Sequence, residues 1–309
     1  MAETEPTATP LRFVVSGASG LVGSALSASL AGRGHRVERL VRRTPVSGAP
    51  EIAWDPAQGT IDRDALEGAD AVVHLAGESV AASWTAERKR AIRESRVAGT
   101  GLLASTLADL RRPPRVLVSA SAVGYYGDRG EKTVTEDSPP GTGFLADTAR
   151  AWEAAAEPAL EAGIRVVHPR IGMVLSARGG ALAKMLTPFR LGVGGVVGTG
   201  RQQMSWIALD DLVAVLEHLA LTDELSGPVN AVAPHPVTNR EFTATLGRVL
   251  GRPTLLPLPA FMVRLLFGEM GQALLLDGAR VLPSRLEASG FGFRYPRLEE
   301  ALRAELGGR

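Results

Sequence analysis

The chain has 309 residues, 45% of them hydrophobic and 22% charged, enough apolar material for one large α/β domain with a smaller companion and too much for a disordered or fibrous chain. Its 34 basic residues almost cancel 33 acidic ones, with no run of five or six like charges, which argues against nucleic acid or an anionic membrane as a main partner. There is no cysteine, so no disulfide, thiolate nucleophile or zinc–cysteine site, and only three lysines, Lys89, Lys132 and Lys184.

Residues 1–10 carry acids where a secretory leader needs bases, and no apolar run follows, so a disordered tail on a cytoplasmic protein is expected. Phe13-Val14-Val15 predicts a strand, Leu21 to Leu30 a helix stopped at Gly32 and Gly34, Val37 to Val41 a second strand and Ala71 to Leu75 another. Val116-Leu117-Val118 and Arg165-Val166-Val167 are β-rich runs preceded by helical segments near Ala98 to Leu110 and Ala149 to Ala162. This alternation over residues 11–170 predicts an α/β fold with a Rossmann-type doubly wound parallel sheet, which takes ligands beyond the carboxyl ends of its strands. After residue 170 come glycine-rich loops (Gly192 to Gly200), a helix from Leu209 to Leu221 and a mostly helical stretch from Leu255 to Leu306. Residues 171–309 are expected to form a smaller, mostly helical C-terminal substrate region, with about 205–235, including Val229 to Val232, returning to the sheet. The most apolar segment, Leu255 to Leu282, is broken by Arg264, Glu269, Asp277 and Arg280, short of the roughly 20 uninterrupted residues of a membrane span.

Ser16-Gly17-Ala18-Ser19-Gly20-Leu21-Val22-Gly23 follows the first strand and opens the first helix. Glycines at 17, 20 and 23 let the backbone approach a pyrophosphate, aim helix N–H groups at it and pack helix on strand, and the Ser19 hydroxyl adds a donor. Strand before, helix after and a second strand about 20 residues on give the motif its context. The second strand ends in Arg42-Arg43, two guanidinium forks suited to a ribose 2′-phosphate, which points to NADP(H); the rival acid, Glu38, lies early in the strand. The alternative for both arginines is a solvated loop.

These residues are similar to the extended and atypical short-chain dehydrogenase/reductases, the superfamily that includes nucleotide-sugar epimerases. The resemblance extends through Leu75-Ala76-Gly77-Glu78, Val118-Ser119-Ala120-Ser121, Tyr125-Tyr126-Gly127, Trp152-Glu153, His168-Pro169-Arg170 and Ser205-Trp206 to Gly290-Phe291-Gly292-Phe293-Arg294-Tyr295-Pro296. Within the superfamily the chain resembles a subgroup catalogued as epimerase-family or NADP-dependent oxidoreductase proteins, in places mislabelled cell-division inhibitors. The resemblance implies that Gly17, Ser19, Gly20, Leu21 and Val22 hold the pyrophosphate and Arg42 with Arg43 the 2′-phosphate. It places Leu75, Ala76, Gly77 and Glu78 on the adenosine and ribose side, and Ser119, Ala120, Met173 and Val174 near the nicotinamide. It further implies an oxidoreductase acting on a small carbonyl or hydroxyl substrate, with a homodimer common among relatives.

Ordinary members pair a tyrosine with a lysine four residues later on one helix face, the lysine charge readying the phenol for proton transfer. No tyrosine stands four residues before any of the three lysines here; the corresponding segment reads Phe144-Leu145-Ala146-Asp147-Thr148-Ala149-Arg150. Ser121 and Tyr125 are the candidate catalytic hydroxyls, Tyr126 an alternative, and Arg129 a cation four residues after Tyr125 that cannot itself shuttle protons. Arg96 either belongs to a solvated helix face or turns inward to an anion. The five scattered histidines show no metal spacing, and no metal is expected. Two further readings remain open: a protein that holds NADP(H) without turnover, and an epimerase-like enzyme.

Overall fold

The computed structural model describes residues 9–307, so most of the expected tail lies outside the described residues. In chain order the elements are β1 (Arg12–Ser16), α1 (Leu21–Gly32), β2 (Arg36–Val41), β3 (Glu51–Asp55), β4 (Thr60–Ile61), β5 (Ala71–His74), α2 (Ala86–Ala108), β6 (Val116–Ser119) and β7 (Ser121–Ala122). Then come β8 (Thr133–Val134), α3 (Phe144–Ala154), α4 (Glu157–Glu161), β9 (Arg165–Ile171), β10 (Met173–Leu175), α5 (Gly180–Arg190), β11 (Gln203–Met204), β12 (Trp206–Ala208) and α6 (Leu209–Leu221). The chain continues through β13 (Gly227–Ala231), β14 (Val237–Thr238), α7 (Asn239–Leu250), α8 (Ala260–Gly271), β15 (Arg280–Val281), α9 (Ser284–Ala288) and α10 (Leu298–Leu306).

The main sheet runs β13-β9-β6-β5-β1-β2-β3-β4, parallel except for the β3–β4 hairpin. The strand order steps outward in opposite directions from the β1–β5 pair, so a crevice opens at the carboxyl edge there. One face, carrying Phe13, Val15, Val73 and Val118, is covered by α1 and α6 through Leu26, Leu30, Leu212 and Leu216. The other, carrying Val14, Val72 and Leu117, is covered by Leu103 and Leu107 of α2 and Ala159 of α4. A separate cluster joins α5, α7 and α10 through Leu186, Phe242, Leu246 and Leu302, around Trp206, which is fully buried.

Strand β13 pairs in parallel with β9, returning the chain to the sheet after the excursion through α5. Three elements differ from the periodicity. Helix α2 begins twelve residues before Ala98 because the Thr85 hydroxyl accepts the Arg88 N–H and caps it, in a charged turn without an apolar stripe. The segment expected as one helix over 149–162 is two, the second starting afresh with Pro158 in its first turn. Between 255 and 306 the helices α8, α9 and α10 are separated by extended segments and a wide turn at Gln272–Leu276. Strand β3, with Ile52 and Trp54 alternating inward between Glu51, Ala53 and Asp55, lacks the continuous apolar run by which the other strands stand out in the sequence.

Cross-strand register puts Ser16 of β1 opposite His74 of β5, and His74 opposite Ser119 of β6. The Ser16 hydroxyl accepts the N–H groups of Leu75 and Ala76 at 3.0 and 3.2 Å, which leaves its proton for His74 Nδ1 at 2.6 Å. The imidazole proton therefore sits on Nε2, which is buried without a partner, and the ring meets Trp54 edge-on at 5.7 Å. Burial pushes His74 down from 6.5 to about 4, and His168 moves the same way. Between these pH values the unfolded chain takes up a proton at His74 that the folded chain refuses. Stability is thus expected to be full above pH 6.5 and to fall on acidification towards pH 4, by up to about 3 kcal/mol from His74. Urea midpoints at pH 7 and 4.5 should show a smaller drop for His74→Gln than for wild type; equal drops would contradict this assignment.

Candidate functional site

The site is built where β1 turns into α1. Gly17 takes φ +67° and lies against the next strand's loop, so that a Cβ there would stand 2.8 Å from the Leu75 carbonyl carbon. At Gly23 a Cβ would stand 2.3 Å from the Gly17 carbonyl oxygen, which is why helix and strand can approach so closely. Gly20 is the N-cap of α1 and no side chain caps it, so backbone N–H groups face outward beside the exposed Ser19. A second glycine-capped start, that of α5 at Gly179, lies alongside: Cβ atoms on Gly179 or Gly180 would sit 3.6–3.8 Å from the Leu21 methyls. Two uncapped helix starts beside a backbone-lined turn make a cradle that fits a pyrophosphate.

Just past the end of β2, Arg42 is exposed and makes no ion pair among the described residues. Arg43 is committed elsewhere, 2.6 Å from Glu51, which also holds Arg39 at 3.1 Å. The Val46 N–H and then the Arg43 guanidinium keep Glu51 below the usual carboxylate range. A cavity of about 360 Å³ adjoins, lined by Arg42, Arg43, Trp54, Asp55 and Asp62 among others. Glu38 is buried and bound to Arg12 and Arg36, which removes the rival acid from this place.

After β5 the half-buried Leu75 and Ala76 lead to Gly77 and Glu78. The Glu78 N–H donates to the Ser95 hydroxyl, and its carboxylate lies 3.3 Å from Arg88. Arg96 turns inward from α2: Nη1 donates to the Glu78 and Ile92 carbonyls, both at 3.0 Å, and the guanidinium stacks 4.9 Å from the Trp152 ring centre. Desolvation pushes it down to about 10, with Glu78 offsetting only part of the effect.

Beyond β6 a buried chain of polar groups begins. Ser121, 2% exposed, donates to Glu153 Oε1 at 2.6 Å, and Glu153 grips Arg170 through two bonds of 2.8 and 2.9 Å. Arg170 donates on to the Tyr126 oxygen at 2.9 Å, and Tyr126 donates to Asn230 of β13 at 2.7 Å. Burial lowers the basicity of Arg170, but Glu153 more than offsets this, so the guanidinium stays charged; burial pushes the Tyr126 phenol up. The Ser121 proton and the Tyr126 hydroxyl are both used internally. Tyr125 differs: half-buried, with no hydrogen bond to its hydroxyl among the described residues, its ring lies under Arg170, whose Cζ is 3.4 Å from the ring centre. Arg129 spends its guanidinium on the carbonyls of Tyr126 and Pro139.

Ser119 and Ala120 are buried at the strand end, Ser119 with a partnerless hydroxyl, and the half-buried Met173 and Val174 lie in β10, paired with β12. Sequence reasoning passed over Glu153, Arg170 and Asn230 as site residues. Their signal was a charge or amide inside an apolar run, Val166 to Ile171 and Val229 to Val232, which demands a buried partner. On α3, Phe144 packs against Trp84 at 4.9 Å and Thr148 is buried, so no tyrosine–lysine pair forms there. Among the described residues there is no cluster of three metal-ligating side chains, and no helix is long and apolar enough to cross a membrane.

A glycine cradle at the switch point of a doubly wound sheet defines a nucleotide-binding protein of the Rossmann class. The family model described as "NAD dependent epimerase/dehydratase family" matches residues 13–231, and one described as "Domain of unknown function (DUF1731)" matches 258–305. The chain therefore belongs to the NAD dependent epimerase/dehydratase family, within the short-chain dehydrogenase/reductase superfamily. It is 45% identical over 289 residues to epimerase family protein Mb2239 of Mycobacterium bovis, covering 93% of this chain and 95% of that one. Human epimerase family protein SDR39U1 is 38% identical over 297 residues, 95% of this chain and 99% of that one. A crystal structure of the human protein with NADPH superposes at TM-score 0.88 and 35% identity over 97% of this chain and all of the other. A Corynebacterium glutamicum structure described as a nucleoside-diphosphate sugar epimerase matches at TM-score 0.81 and 40% identity, covering 97% of this chain and 59% of that longer one.

Removing one member of a buried ion pair strands the other. Glu153→Gln is expected to cost about 3–5 kcal/mol in urea unfolding, with part recovered when Arg170→Gln is added. A loss under about 1 kcal/mol would show that the pair is not structural.

Proposed function

We propose that the chain binds NADP(H) and transfers hydride between its nicotinamide and a small carbonyl or hydroxyl substrate, without the usual tyrosine–lysine pair. The observation that carries this reading is the glycine cradle with Arg42, an exposed guanidinium at the end of β2 without an ion pair among the described residues, on the side where a 2′-phosphate would lie. The human relative crystallised with NADPH supports it.

In this reading Gly17, Ser19, Gly20, Leu21 and Val22 hold the pyrophosphate through backbone N–H groups and one hydroxyl. Arg42, and Arg43 with whatever donors Glu51 leaves it, face the 2′-phosphate; Leu75, Ala76, Gly77 and Glu78 line the adenosine and ribose side. Ser119, Ala120, Met173 and Val174 border the nicotinamide, which when bound supplies or accepts the hydride. The Tyr125 hydroxyl, which has no partner among the described residues, is the group able to bond a substrate oxygen and give it a proton, and Arg170 fixes its ring. Ser121 keeps Glu153 aligned and has only lone pairs left to offer, since its hydroxyl proton is donated in the hydrogen bond to Glu153.

The same hydrogen bonds favour a second reading, a protein that holds NADP(H) without turnover, because two of three candidate hydroxyls are occupied. Deuteride delivered from 4-deuterated NADPH into any small aldehyde or ketone, and lost in Tyr125→Phe, would exclude it.

Titration followed by nicotinamide fluorescence should find NADPH bound at least about tenfold more tightly than NADH, about 1.4 kcal/mol. In Arg42→Ala that preference should shrink towards unity with NADH affinity unchanged; equal wild-type affinities would sink the cofactor assignment.

A further inference from the structure

Other inward-turned arginines here have carboxylates: Arg12 has Glu38 and Arg170 has Glu153. Arg96 has none within 4 Å among the described residues, and Glu78, whose charge offsets only part of its desolvation, is engaged by Arg88. Carbonyl dipoles on Nη1 satisfy two donors without neutralising the charge. Nε and Nη2 make no hydrogen bond among the described residues, yet they are not among the enclosed partnerless atoms, so a pair of donors opens outward.

Position narrows what those donors would meet. Gly17 backs onto Leu75 and Ala76, and the next residue, Gly77, backs onto Arg96: a Cβ on Gly77 would stand 3.2 Å from the guanidinium carbon. Trp152, on α3, clamps the guanidinium from the other side, its own N–H held by Thr100. The guanidinium thus lies past the cradle on the β6 side, away from Arg42. A dinucleotide with its pyrophosphate on the Gly17 turn and its far end at Ser119 and Ala120 passes over this stretch.

We infer that Arg96 is a second anion-binding group of the site, which pairs with the nicotinamide-side phosphate of the dinucleotide and receives from it the counter-charge the fold withholds. The inference rests on the NADP(H) reading. A planar fork stacked on an aromatic face suits phosphate in a way a lysine does not, and being already desolvated it loses little further hydration on binding.

Three ligands separate the outcomes: NADPH; 2′-phospho-ADP-ribose, which keeps both bridging phosphates and the far ribose; and 2′,5′-ADP, which lacks the far phosphate. Calorimetric titration of Arg96→Gln should show the first two weakened at least about tenfold and 2′,5′-ADP held within about twofold, with partial recovery in Arg96→Lys. Retained 2′,5′-ADP binding also shows that the variant is folded. Unchanged NADPH affinity would overturn the inference and leave the cofactor reading intact, and equal weakening of all three ligands would overturn it in favour of a purely structural arginine. Wild-type protein that binds none of the three would overturn the cofactor reading itself, and this inference with it.

Discussion

The site depends on how closely the β1 turn approaches the loop after β5. A Cβ at Gly17 would stand 2.8 Å from the Leu75 carbonyl carbon and one at Gly23 2.3 Å from the Gly17 oxygen, so the approach needs glycine at both positions. The Ser16 hydroxyl then ties the two segments together, accepting from Leu75 and Ala76 and donating to His74. Because register continues from Ser16 through His74 to Ser119, this link also sets where the β6 end and its polar chain stand relative to the cradle. The Gly17 turn, Leu75 and Ala76, and Ser119 and Ala120 all lie along that one row.

Charge is divided between two jobs. Arg170 and Arg43 are bound by Glu153 and Glu51 and hold the framework. Arg42 and Arg96 have no carboxylate within 4 Å among the described residues and are proposed to lie on either side of the cradle. A half-buried cation such as Arg96 left without a carboxylate is costly in the free protein, and an anionic ligand would reduce that cost, whereas the exposed Arg42 is solvated and gains only the pairing. Arginines with a carboxylate partner and arginines without one look alike in sequence; only their neighbours distinguish them.

Much of the fold was legible because it rests on local patterns: apolar runs for the parallel strands and glycines at three-residue spacing between strand and helix. The lysine positions were equally informative, since they excluded the tyrosine–lysine pair before any coordinates. What escaped notice depends on long-range contact. Glu153 and Arg170 lie seventeen residues apart and Tyr126 and Asn230 over a hundred, so no window of sequence shows their union. Tyr125 and Tyr126 are adjacent and chemically identical, yet the Tyr126 hydroxyl is buried and bound to Arg170 and Asn230 while that of Tyr125 has no partner among the described residues. The arginine pair was legible as a motif but not in its division of labour, because Glu51 belongs to a strand without a continuous apolar run.

The most direct test is amide hydrogen exchange across the whole chain with and without NADPH. Protection should appear together at residues 17–23, 75–78 and 119–121, the three segments joined by the Ser16–His74–Ser119 row, with little change in α7 and α10. Protection confined to other segments, or none at saturating NADPH, would contradict a cofactor site built on the Gly17 turn.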